Sequence, residues 1–310
     1  MIASAKAPYH FPAKGGFPLP MSDYVIFSDS SMDIAPEVYA KWGVQCIALN
    51  YRFQNEEAEY ADGDGQLTTV DFYNRMRAGG VAKTAAVNTE RFAEAFEPVL
   101  AAGQDLLYLG FSSGLSNTYN AGRIAVEQLR EKYPDRKILA VDTLAASAGQ
   151  GLLVYLTVLK KREGAAIEEA AKWAEKNRLH LCHWFTVDDL VYLKRGGRVS
   201  ATAAFVGNIL GIKPVLHVDN EGHLINMQKA RGRRNALATM AEKYKQTALC
   251  PSSGHVFISH GDCRDDAVLL ADMLREQCGA EVELITMIGP VIGAHSGPGT
   301  LALFFLGTER

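Results

Sequence analysis

No CxxC pair occurs in the 310-residue chain, and its five cysteines, Cys46, Cys182, Cys250, Cys263 and Cys278, are scattered. Neither a disulfide framework nor a structural zinc site is therefore expected, and a reduced, cytoplasmic setting fits better. No apolar run approaches the ~20 residues needed to cross a bilayer, so stable membrane insertion is not expected. The phosphate-cradling patterns GxGxxG and GxxxxGK(S/T) are both missing, which removes the two commonest nucleotide signatures. A basic excess is missing too. With 32 Lys and Arg against 35 Asp and Glu the formal net charge is -3, the opposite of the balance a nucleic-acid binder usually carries. The opening "MIASAKAPYHFPAKGGFPLP" has no continuous apolar segment of the signal-peptide kind. Residues 1–21 are expected to be a disordered leader, with Met21 fitting a true start because "DYVIFSDSS" behind it reads at once as a strand.

What is present is ample core: 48% of residues are hydrophobic and 22% charged, in a length that suggests two domains. Strand-like runs at 24–28, 44–50, 105–111 and 137–143 alternate with helical patterns at 68–76, 89–103 and 121–133. That alternation predicts βαβ units and a mostly parallel sheet flanked by helices, whose ligands bind beyond the strands' carboxyl ends. A long helix at 147–165 ends in basic residues and Gly, a natural stop for a first α/β domain over 22–163. A second α/β domain is expected over 164–310, with strands at 181–187, 213–219, 255–261 and 281–289 and helices at 201–211, 234–246 and 265–279. The apolar end, 300–307, has the option of packing back onto the first domain.

Several constellations could carry chemistry. "GFSSG" (110–114) satisfies G-x-S-x-G with Ser112 in the nucleophile position, and Asp262 and His295 follow in the order of an α/β-hydrolase triad. Against that enzyme reading, polar "LSNTYN" separates the turn from its helix, and no HGGG-type oxyanion segment precedes it. Past the first strand, Asp33 reads as the cap of a helix starting near Pro36, which leaves Asp29 and Ser30 as rim residues. Thr89 reads as the N-cap of the following helix, whereas Thr84, in the loop ahead of it, has no such local job. Arg198 and Arg231 sit in glycine-flanked basic clusters, "KRGGR" and "RGRR". Each is either part of a solvated face or a partner for an anion. His180 and His183 lie on opposite faces of a strand and make no metal site. His295 sits among glycines with no apolar stripe to explain it. A nucleic-acid sensor acting through the two basic clusters is a third reading, opposed by the acidic balance.

Taken together and in order, "SDSSMDI" (28–34), "KTAAVNTERF" (83–92), "SSGLSNTYNAG" (112–122), "VDTLAASAGQG" (141–151), "DDLVYLKRGGRVS" (188–200), "GIKPVLHVDNEGHL" (211–224), "RGRRNAL" (231–237) and "GPVIGAHSGPG" (289–299) resemble the DegV family of fatty-acid-binding proteins, FakB type. The common Thr-Ser-Gln-Pro form of the Thr84 loop is here "TAAV". The resemblance implies two α/β domains with one long-chain fatty acid at their junction and no other cofactor. It implies a carboxylate held by Thr84 and Ser113, with Arg198, Arg231 and His295 around it and Gly114 and Ser30 completing the ligand-binding set. It further implies a carrier, not an enzyme, that hands its lipid to a fatty acid kinase, a source of phospholipid precursor.

Overall fold

The structure, a computed structural model, describes residues 24–199 and 211–310. The expected leader and all but the last residue of the helix expected at 201–211 lie outside the described residues. In chain order the elements are β1 (Tyr24–Asp29), a 3-10 turn (Ser30–Met32), α1 (Pro36–Trp42), β2 (Val44–Ile47), β3 (Asn50–Phe53), β4 (Tyr60–Ala61), α2 (Thr69–Arg77), β5 (Ala82–Ala85), α3 (Thr89–Ala101), β6 (Asp105–Gly110), α4 (Thr118–Lys132), β7 (Ile138–Asp142) and α5 (Ser147–Arg162). There follow α6 (Ile167–Asn177), β8 (Leu181–Thr186), α7 (Val191–Arg195), β9 (Ile212–Val218), β10 (Leu224–Arg231), α8 (Arg233–Thr247), β11 (Val256–His260), α9 (Arg264–Cys278), β12 (Leu284–Met287), α10 (Pro290–Ser296) and β13 (Leu301–Leu306).

Three sheets organise these elements. The first, in the order β2-β1-β6-β7, is parallel throughout. Its central strands, "YVIFSD" and "DLLYLG", are buried almost without alternation because helices cover both faces. On one face Phe92 and Phe96 of α3 and Val126 of α4 meet Phe27 and Tyr108; on the other, Val154 of α5 and Ala170 of α6 meet Ile26 and Leu107. The second sheet, β10-β9-β8-β13-β11-β12, is antiparallel except for the β11–β12 pair. Helices α8 and α9 pack on one of its faces through Leu237, Met240, Leu270 and Leu274. On the other face α5 presents Leu152, Leu153 and Leu156 to Phe257 and Phe304. Lying between two sheets, α5 is apolar nearly all round. The last strand, β13, sits inside the second sheet between β8 and β11.

The third sheet, β4-β3-β5, is small and antiparallel. It packs with α2 and α10 through Tyr51, Phe53, Phe72, Tyr73 and Ala294. Thr84, expected in a loop, is therefore a strand residue, paired across from Tyr51.

Two expected caps are corrected. Asn88, not Thr89, caps α3, its side-chain oxygen accepting from the Arg91 N–H at 2.9 Å. Asp33 does not cap α1: it ends the 3-10 turn in a left-handed conformation (φ 51°). Its buried carboxyl accepts instead from Ser147 Oγ at 2.5 Å and the Gly289 N–H at 2.9 Å. A sequence window around residue 33 shows neither distant partner.

Candidate functional site

A cavity of ≈ 200 Å³ lies where the loops beyond β6 and β7 meet the second sheet and α10. This is the crevice at the strands' carboxyl ends that a parallel sheet offers a ligand. Most of its wall is apolar, with Phe111 and Leu115 from the β6 loop, Phe185 and Phe304 from the second sheet, and Ile288 and Val291 flanking the start of α10.

A polar cluster interrupts that wall. Antiparallel pairing with β3 presents Thr84, and the last turn of α10 presents His295; Thr84 Oγ1 lies 2.8 Å from His295 Nε2. Burial, with the Arg198 charge beside it, pushes the His295 imidazole down to about 4, so it is neutral at pH 7. Arg198 follows α7, its Nε donating to Leu115 O at 3.3 Å and its guanidinium also bonded to Gly196 O. Gly196 has no side chain because a Cβ there would collide with the His295 ring. Among the described residues no carboxylate pairs with Arg198, although burial already disfavours its charge. Ser116 and Asn117 line the cavity at the start of α4. Ser116 Oγ accepts from the Thr118 N–H at 3.2 Å and lies 2.9 Å from Thr118 Oγ1. A guanidinium without a carboxylate partner among the described residues, a hydroxyl pair, a neutral imidazole and a helix N-terminus together suit one carboxylate.

The remaining sequence candidates fall elsewhere. Ser113 is exposed, its backbone N–H donates to Asp142 Oδ1 at 3.2 Å, and it does not line the cavity. Gly114 does not line it either. A Cβ there would meet Glu221 O at 2.8 Å, so glycine is required by the β9–β10 turn packed against it. Ser30 accepts from the Leu49 N–H at 3.0 Å, and Arg231 is exposed at the end of β10; neither lines the cavity. Sequence reasoning missed Ser116 and Asn117, whose only signal is the polar stretch "LSNTYN" that runs into the first turn of α4.

The hydrolase triad is not assembled. Ser112 is fully buried, donates to Gly222 O at 2.9 Å and accepts from the Gly114 N–H at 3.2 Å. Asp262 is paired with Arg77, and His295 faces Thr84. Ser112 thus ties the first sheet to the β9–β10 turn. A fluorophosphonate probe should leave it unmodified, read by intact-protein mass spectrometry, and Ser112→Ala should cost about 1–2 kcal/mol of stability through the orphaned Gly222 carbonyl and Gly114 N–H.

Residues 23–308 match the model of the DegV family, described as uncharacterised protein. The chain belongs to the DegV family. A DegV domain-containing protein of Clostridium perfringens is 46% identical over 291 residues, covering 94% of this chain and 99% of that one. Among solved DegV structures, a lipid-binding protein of Thermotoga maritima shares 30% identity over 93% of this chain and 99% of its own, with a TM-score of 0.82. A DegV protein of Thermus thermophilus, whose structure is of its fatty acid binding, shares 27% identity over 92% and 99% of the two chains at a TM-score of 0.83. The DegV architecture, a parallel sheet of four strands flanked by helices beside a larger mixed sheet, is the one found here. Among the described residues of this DegV chain no helix is long and apolar enough to cross a membrane.

Proposed function

We propose that this DegV protein is a non-catalytic, cytoplasmic carrier of one long-chain fatty acid. The carboxylate is bound by Thr84, Ser116, His295 and Arg198, and the alkyl tail runs along the apolar wall formed by Phe111, Phe185, Phe304 and Ile288. Ser116 takes the role first expected of Ser113, because its position on the cavity wall supports contact and the exposure of Ser113 does not. The observation that carries the reading is Arg198: a half-buried cation on a mostly apolar cavity, without a carboxylate partner among the described residues. Lipid binding by the Thermotoga maritima relative and fatty acid binding by the Thermus thermophilus one support the same ligand class. The division of labour is physical. Each buried methylene contributes about 0.8 kcal/mol, so the tail supplies the affinity, and the head contacts set its direction. The carrier then presents the carboxyl group to a separate fatty acid kinase for acyl-phosphate formation.

Denaturing extraction of the purified protein followed by mass spectrometry should release one equivalent of a long-chain fatty acid. Thr84→Val and Ser116→Ala should each weaken retention by roughly tenfold, the lower end of what a lost hydrogen bond to a charged group costs, while Ser113→Ala leaves it unchanged. Extraction that yields no lipid, or equal retention in all three variants, contradicts the carrier. The kinase step is read separately, by ATP-dependent acyl-phosphate trapping with hydroxylamine in the presence of the kinase.

A further inference from the structure

We propose that Gly149 sets the chain length of the bound fatty acid: its missing side chain lets the rings of His183 and Phe304 stand back as the end wall of the tail cavity. The inference rests on the carrier reading and deepens it.

The β8–β13 ladder gives the cavity a direction. Thr300 Oγ1 donates to Ser296 O at 2.9 Å, next to His295, so the Thr300 end of β13 lies at the carboxylate cluster. From there alternate residues face the tail. Ala302 pairs with Phe185 and Phe304 with His183, and all four line the cavity. The following pair, Leu306 and Leu181, does not; both belong to the core that α5 closes with Leu152, Leu153 and Leu156. Along α5 the lining also stops early: Ala146 and Ser147 contribute, and no later residue of the helix does. Two strands and a helix thus end the cavity at one level, that of the His183–Phe304 pair.

Gly149 is packed against that pair. A Cβ there would collide with His183 Nε2 and lie 2.6 Å from Phe304 Cδ1. The two rings meet edge to face at 5.3 Å between centroids, and His183 Nδ1 lies 3.1 Å from Leu181 O. An added methyl has to displace the rings, because the backbone of α5 is held between two sheets. The rings border the cavity, where no packed atom opposes them, so the displacement runs into the space of the tail. Gly151, two residues on, provides the comparison. A Cβ there would lie 2.6 Å from Ile34 Cδ1, an equal crowding, but Ile34 does not line the cavity.

The test is competition against a fluorescent fatty acid by the even-numbered saturated acids from dodecanoic to icosanoic. In the wild-type protein affinity should rise roughly fourfold per added carbon until the tail meets the wall, then level off. Gly149→Ala should bring that break about two carbons earlier, a loss of roughly tenfold for the longest acids with dodecanoic acid kept within about twofold. Gly151→Ala should lower Tm and leave the break in place. Phe304→Leu, which trims the wall itself, should move the break to a longer acid. A break unmoved by Gly149→Ala, an equal loss at every chain length, or a wild-type series without a break overturns the proposal. Should the alanine variant not fold, Phe304→Leu decides, and a break that it leaves unmoved overturns the proposal as well. Each of these outcomes, with the acids still competing, sinks this inference alone; failure of every acid to compete sinks the carrier reading with it.

Discussion

Arg198→Met should weaken palmitate binding by one to two orders of magnitude at pH 7 and leave the affinity for hexadecanol almost unchanged. Methionine keeps a similar apolar stem but removes the charge, so the two ligands separate electrostatics from packing. A charge-assisted hydrogen bond contributes about 1.5–3 kcal/mol net, and more where water is excluded. Arg198 is only half-buried, which argues for the lower part of that range. Its neighbours cannot substitute: His295 is held neutral at pH 7, and Thr84 and Ser116 offer dipoles only. The alcohol brings no charge, so its tail contacts are all it has to lose. Isothermal titration of both ligands with both proteins reads the difference. Equal loss for palmitate and hexadecanol would mean that the arginine acts as packing, and that the carboxylate is held somewhere else.

The first sheet was legible because its strands are short, nearly continuous apolar runs set between amphipathic helices, and burial on both faces keeps them so. The small β4-β3-β5 sheet was not. β4 has two residues, and β5, "AKTA", carries neither alternation nor β-branched enrichment beyond Thr84 itself. Its strands exist because β3 and α10 are there to pair and pack with. The site followed the same division. Thr84 and His295 stood out as polar residues without a local job, Arg198 read equally as part of a solvated face, and the structure gathers all three on one cavity. Choosing among the serines of "SSGLS" required knowing which way each hydroxyl turns. Ser112 turns to the Gly222 carbonyl, Ser113 lies in solvent, and Ser116 is on the cavity wall. That choice is made by the β9–β10 turn, more than a hundred residues downstream, and no local pattern reports it.

The same long-range convergence places two carboxyls around the hinge of α10. Asp33 accepts from the Gly289 N–H, and a Cβ at Gly289 would lie 2.9 Å from Asp33 Oδ1 and 3.1 Å from Asp62 Oδ1. Asp62 Oδ2 is buried without a hydrogen-bond partner among the described residues. Burial first, then the charges of Asp64 and Asp29, lift the Asp62 carboxyl from 3.8 to about 7, against the pull of Ser30 and the Val291 N–H. Burial first, with the Asp62 charge adding to it, pushes up Asp33, Cys46, Tyr51 and Tyr73 around it. A folded-state pKa above the unfolded one means that Asp62 stabilises fully below about pH 4, and that this stability drains away as pH rises through about 7. Three pKa units correspond to about 4 kcal/mol over that whole span, and roughly two-thirds of it falls between pH 5 and pH 8. Asp62→Asn removes the titration, and its amide can donate toward Asp33. The variant should therefore gain roughly 5–10 °C in Tm relative to wild type on going from pH 5 to pH 8. Because Gly289 starts the helix that carries His295, wild-type protein should also release its fatty acid faster at pH 8 than at pH 6, and Asp62→Asn should not. Parallel Tm–pH curves for the two proteins would show that Asp62 stays ionised throughout, and that the carboxyls at Gly289 are kept apart by something other than a proton.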